Sequence, residues 1–188
     1  MVEDLDCGLC RLRQWRLSDQ AALVRHANNI KVWRNVRDVF PHPYTSTAAD
    51  SFLSAVIRRN GRDSVYAIEV GGEAVGGIGV HPRSAEERYT AEIGYWLGEA
   101  FWGRGITTAA VRGLSVRALS KPDLCRLFAN VYASNPASMR VLEKAGFQRE
   151  GVQRRAVVKE GVLMDAVVYG LTRDPGLPYL AAAPQPER

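Results

Sequence analysis

No apolar run in the 188-residue chain approaches the roughly 20 residues that a membrane-spanning helix needs, so no membrane role is expected. The three cysteines, Cys7, Cys10 and Cys125, are too few and of the wrong parity for a disulfide framework. Cys7-Gly8-Leu9-Cys10 has metal-ligand spacing, but no second pair follows it. His26, His42 and His81 are scattered, so a four-ligand zinc site has no donors and no metal is expected. A block of consecutive lysines and arginines is also missing. The formal net charge of +5 is spread along the chain, with small groups at Arg11, Arg13 and Arg16 and at Arg154, Arg155 and Lys159. Such mild basicity suits an anionic partner, either nucleic acid or a polyanionic cofactor. Without a clustered basic face, nucleic acid is the poorer fit. Met1-Val2-Glu3-Asp4 is acidic and has neither the basic start nor the apolar core of a signal peptide, which points to a cytoplasmic protein.

The chain lacks internal repeats, and its length suits one domain with its own core. That domain is expected over 1–173. The tail 174–188, with Pro175, Pro178, Pro184, Pro186 and an alanine run, is expected to fray. Leu9 to Leu17 reads as a first strand. Ser18-Asp19 then caps a helix, and a short turn or helix follows near Lys31 to Val39. Ser46 or Thr47 caps a second long helix that ends at Gly61-Arg62-Asp63. Ser64–Val70 and Ala74–Val80 read as a hairpin, and Glu92–Leu97 as the next strand. A helix over Arg104–Leu119, a strand over Leu124–Tyr132, a helix opened by Asn135-Pro136 and two final strands complete the order. Strand, helix and strand from Glu92 to Tyr132 predict a parallel crossover inside an otherwise antiparallel sheet. The fold class is therefore α/β of the mixed α+β kind, with helices on both faces.

Where Glu92–Leu97 ends, Trp102-Gly103-Arg104-Gly105 leads into Ile106-Thr107-Thr108 at a helix start. Unpaired N–H groups and the positive end of the helix dipole meet there, and the glycines let a ligand approach the backbone. This is a site for a phosphate or pyrophosphate, to which Arg104 adds charge. A tight turn without function has the same pattern. No Gly-Lys-Ser/Thr follows, so it is not a P-loop; the third glycine of a dinucleotide fingerprint is absent as well.

About thirty residues later comes Val131-Tyr132-Ala133-Ser134-Asn135-Pro136-Ala137-Ser138-Met139-Arg140-Val141-Leu142-Glu143-Lys144-Ala145-Gly146-Phe147. These two blocks together, from about Glu92 to Gly151, resemble the GNAT superfamily of N-acetyltransferases. Within it they resemble the RimJ/RimL-like branch, the ribosomal-protein N-terminal acetyltransferases. The resemblance implies the GNAT fold, a mostly antiparallel sheet of about seven strands with a splayed parallel central pair. It implies an acetyl-CoA-dependent transfer of an acetyl group to a primary amine, of a small molecule or a protein N-terminus, and a possible homodimer. Two departures stand out. Thr107 replaces a small residue, and Ala109 replaces the usual glutamate.

The resemblance also assigns residues. The pantetheine arm of acetyl-CoA would pair with backbone at Tyr95, Trp96 and Leu97. The pyrophosphate would take N–H groups from Trp102, Gly103, Arg104, Gly105, Ile106 and Thr107. Asn135 would bond the arm, and Lys144 or Arg140 would approach the nucleotide. Glu92 is the implied general base and Ser138 the implied general acid, with Tyr132 a weaker acid. Read alone, Glu92 is a strand-end glutamate, Ser138 a helix-turn serine and Asn135 a helix cap. Trp33, Asp38, Phe40 and Tyr44, with residues near Arg154, are expected around the acceptor amine; the aromatics read equally as core. The rival reading is a CoA-binding or nucleic-acid-binding module without catalysis.

Overall fold

The computed structural model describes residues 3–58 and 64–173. The expected helix end at Gly61-Arg62-Asp63 and the tail 174–188 lie outside the described residues. Eight strands form one sheet: β1 (Leu5–Asp6), β2 (Arg11–Arg13), β3 (Ser64–Val70), β4 (Glu73–Pro82), β5 (Thr90–Leu97), β6 (Arg126–Tyr132), β7 (Gln148–Lys159) and β8 (Val162–Thr172). Their spatial order is β1-β2-β3-β4-β5-β6-β8-β7. Every neighbouring pair is antiparallel except β5 and β6.

Of the expected first strand, Leu9 to Leu17, only Arg11–Arg13 is a strand, and a strand that was not expected, Leu5–Asp6, pairs back on it. The chain reverses between them through Gly8 and Leu9, closed by Cys7 N–H donating to the Cys10 carbonyl at 2.9 Å. A 3₁₀ turn at Leu17–Asp19 then ends it early. The Asp19 side chain does not cap the helix that follows. It is buried and accepts from both Arg13 terminal nitrogens at 2.8 Å and from the Arg16 N–H at 2.8 Å. Burial works to raise the Asp19 carboxyl, but Arg13 and the Arg16 amide outweigh it and hold it below the usual carboxylate range. Arg13, itself 2% exposed, also donates to Glu69 on β3. Removing one partner of such a buried network leaves an uncompensated charge, at a cost of about 3–5 kcal/mol.

The helices are α1 (Gln20–Ala27), α2 (Ile30–Trp33), α3 (Ser46–Arg58), α4 (Ile106–Leu119) and α5 (Pro136–Lys144). The Thr45 hydroxyl accepts from the Ala48 N–H at 3.2 Å, so α3 is capped one residue before the expected Ser46. Strand alternation decides which layer each residue joins. Ile68, Val75, Ile93 and Leu97 pack with Ala110, Val111 and Leu114 of α4 and Leu142 of α5. On the opposite face, Ala67 and Ala74 pack with Leu23 of α1, Leu53 of α3, Trp15 and Tyr44. The sheet is thus covered on both faces, by α4 and α5 on one and by α1 and α3 on the other.

Candidate active site

β5 and β6 are paired only at Thr90 with Arg126, Ala91 with Leu127 and Glu92 with Phe128. Past Glu92 they part, while β5 stays paired to β4 as far as Leu97 and β6 stays paired to β8 as far as Tyr132. The facing backbone edges of Ile93–Leu97 and Ala129–Tyr132 are therefore left without a strand partner. A cleft of about 1340 Å³ opens at this fork, larger than most small-ligand pockets. Its lining includes Glu92, Tyr95, Trp96, Leu97 and Ser138.

At the far end of β5 the loop is locked in place. Gly98 N–H donates to the Val75 carbonyl at 2.8 Å, and the Trp102 indole donates to the Leu97 carbonyl at 2.7 Å. Gly103 and Gly105 sit at φ +74 and +76, in the left-handed region that a side chain disfavours. Gly105 is the N-cap of α4, whose first backbone bond is Ala109 N–H to the Gly105 carbonyl at 3.0 Å. The N–H groups of Ile106, Thr107 and Thr108 thus precede the first helical bond and are free for an anion. The cleft reaches this loop at Trp102, Gly103 and Thr107. Arg104 is exposed, its guanidinium 5.3 Å from the Phe101 ring centroid.

Asn135 caps α5 by accepting the Ser138 N–H at 3.0 Å, and it lines the cleft. The Ser138 hydroxyl is 2.8 Å from the Tyr95 hydroxyl. Burial pushes the Tyr95 phenol up to about 12 against a smaller lowering by Ser138, so it keeps its proton throughout the neutral range. Lys144 is exposed at the opposite end of α5, where its carbonyl accepts from Arg112 at 2.6 Å, away from the cleft lining.

Glu92 and Trp96 project from the other face of β5. The Glu92 carboxylate accepts from Arg37, and its cross-strand neighbour on β4 is His81, which also lines the cleft. Phe40 and Tyr44 line the cleft too, with their ring centroids 4.8 Å apart. Trp33 and Asp38 do not. The Lys159 ammonium, buried at 3% exposure, lies 3.6 Å from the Trp33 ring centroid and donates to Asp38 at 2.6 Å and to the Val36 carbonyl at 2.9 Å. Arg37, His81, Trp15 and Phe52 are lining residues that the sequence did not single out. They meet there from four separate segments, and no short motif signals them. Among the described residues no cluster of His, Cys, Asp and Glu fits a metal, and no helix is long and apolar enough to cross a membrane.

Comparison with known proteins shows the family. The "Probable N-acetyltransferase YjcK" of Bacillus subtilis (strain 168) is 46% identical over 82 residues, 44% of this chain and 45% of that one. The match thus spans less than half of that relative. YdaF of the same organism is 34% identical over 134 residues, 68% of this chain and 72% of YdaF. Among solved structures, Mycobacterium smegmatis RimJ in complex with CoA-disulfide superposes with a TM-score of 0.78 at 27% identity, covering 91% of this chain and 86% of that one. Residues 10–148 match the Acetyltransferase (GNAT) domain, and the chain belongs to that family of N-acetyltransferases.

Proposed function

We propose that the protein moves the acetyl group of acetyl-CoA directly onto a primary amine, of a small molecule or a protein N-terminus, at the fork between β5 and β6. The observation that carries this reading is the opposition of two sets of groups across one opening. The Tyr95–Ser138 hydroxyl pair lies on the face that meets α4 and α5, and Glu92 lies on the other. The diphosphate would rest on the N–H groups at the start of α4, and the pantetheine arm along the open edge of β5 and the Asn135 amide. Acetyl-CoA supplies the activated acyl group. Glu92 takes the amine proton, directly or through water, as the amine nitrogen bonds the acyl carbon. A backbone N–H near Gly94 or Tyr95 on the open edge steadies the oxyanion. As the carbon–sulfur bond breaks, Ser138 hands a proton to the thiolate and regains one from water, while Tyr95 stays protonated and holds the Ser138 hydroxyl in place.

Three free thiols suit a reducing, cytoplasmic setting. Val152, Val158, Val162 and Leu163, exposed on the β7–β8 hairpin, offer a face for a homodimer, which the mass in solution tests. Thiol release from acetyl-CoA with a panel of amines tests the main reading. Amine-dependent release is expected; a flat result alongside tight CoA binding would favour a binding module without catalysis.

A further inference from the structure

Cys7-Gly8-Leu9-Cys10, a motif that acetyl transfer leaves unused, lies against the start of α4. The β1–β2 register, Leu5 opposite Leu12 and Asp6 opposite Arg11, continues to Cys7 opposite Cys10. The Cys7 N–H donating to the Cys10 carbonyl at 2.9 Å makes the two a hydrogen-bonded pair. Such pairs hold their Cα atoms about 5.5 Å apart, inside the range of roughly 4.4–6.8 Å that a disulfide spans. Opposed residues also point to the same side of the ribbon, here toward α4. The Cys10 sulfur is 3.9 Å from the Ile106 carbonyl. The Cys7 sulfur fills a notch at Gly113, where a Cβ would lie 2.5 Å from it. Between them Leu9 meets Gly105, where a Cβ would lie 3.3 Å from a Leu9 methyl.

The two thiols, both free, are unequal. Cys10 holds the half-buried Cys7 thiol below its ordinary value, aided by Arg117 and opposed by burial and Asp6. Cys7 and burial in turn push the Cys10 thiol up. Cys7 is thus the more accessible sulfur and the better nucleophile, while the buried Cys10 keeps its proton beside it. Cys125 stands apart, just ahead of β6, with its thiol on the Tyr89 carbonyl at 3.4 Å.

We propose that Cys7 and Cys10 form a site of thiol–disulfide exchange with a low-molecular-weight disulfide, and that closing their bond weakens the hold of α4 on a diphosphate. The Cys7 thiolate attacks one sulfur of the small disulfide and expels the other half as a thiolate, which takes the Cys10 proton. The Cys10 thiolate then attacks the Cys7 sulfur and expels the second half, which takes up the proton that Cys7 gave to solvent. Two protein thiols are oxidised and one small disulfide is reduced to two thiols. An S–S bond of about 2.05 Å draws the sulfurs away from the Ile106 carbonyl and the Gly113 notch, and Leu9 moves with them against Gly105. The effect on affinity rests on the acetyl-transfer reading for the diphosphate's place on α4.

The test equilibrates the full chain with glutathione disulfide or with dithiothreitol. Mass, alkylation and the affinity for desulfo-CoA, which has no thiol to reduce the bond, are then measured. The oxidised protein should lose about 2 Da and leave Cys125 alone open to alkylation after unfolding. It should bind desulfo-CoA about fivefold more weakly than the reduced protein, and dithiothreitol should restore the affinity. In Cys7→Ser the affinity should stay within about twofold under both treatments. Should that variant not fold, Cys10→Ala serves: it should stop at a glutathione adduct of Cys7. Three alkylated thiols after oxidation, a lasting glutathione adduct on the native protein, or equal affinities of the two forms would overturn the proposal. If the mass loss appears and neither form binds desulfo-CoA, the acetyl-transfer reading fails and the exchange site stands. If the reduced protein binds and no mass loss appears, the reverse holds.

Discussion

On one face of β5 stand Ile93, Tyr95 and Leu97, against α4 and α5; on the other stand Glu92 and Trp96, against Arg37 and Phe40. The first face is made largely of backbone. It offers N–H groups at a helix start, a left-handed glycine cap and the open edge of a strand, held by hydrogen bonds from Gly98 to Val75 and from Trp102 to Leu97. The second is made of side chains from the loop after β2, the loop before α3, α3, β4 and β5, and its Arg37–Glu92 ion pair spans 55 residues. A backbone site recognises what a whole family shares, because any sequence with that local geometry provides the same donors. A side-chain site recognises one acceptor, because each aromatic can change without disturbing the other face.

The sharpest way to break this division is Gly105→Glu. It forces a side chain into φ +76 and sets a negative charge on the α4 N-terminus. Affinity for CoA should fall about hundredfold or more, while the fold stays intact by circular dichroism. Retained CoA affinity by calorimetry would remove this loop from the phosphate site. Glu92→Gln, on the opposite face, should lower kcat by about 10² and leave CoA affinity intact. Turnover that matched the native protein at every pH would end the base assignment.

A smaller effect treats the two faces alike. Tyr95 and Tyr44 are both raised to about 12, one on each side. Below the ordinary tyrosine value near 10 both states hold these protons and stability is unaffected. Between about 10 and 12 the unfolded phenols ionise while the folded ones do not, so stability falls as pH rises, by up to about 1.4 kcal/mol per unit for each phenol. Chemical denaturation at pH 9 and 11 checks this, and Tyr44→Phe and Tyr95→Phe should each remove part of the loss.

The same contrast explains what could be read from the chain alone. Trp102 to Thr107 and Asn135 to Phe147 are each contiguous, so their glycines, cap and helix starts are legible in the sequence, and together they suggest the diphosphate cradle proposed above. The parallel crossover followed from strand, helix and strand in sequence. The count of about seven strands became eight because Leu5–Asp6, ahead of the expected first strand, pairs back on Arg11 and Leu12 through a turn at Gly8 and Leu9. At the acceptor side Phe40 and Tyr44 line the cleft as expected from their loop. Trp33 and Asp38, from the same loop, are instead held by Lys159, a partner more than a hundred residues away that no local pattern announces.

The central claim is that the two faces meet through the fork between β5 and β6. A bisubstrate compound, CoA joined through an acetyl link to the amine that gives the fastest thiol release, tests it most directly. It should bind about hundredfold more tightly than CoA, because one molecule then engages both faces at once. An affinity no better than that of CoA alone would contradict the account.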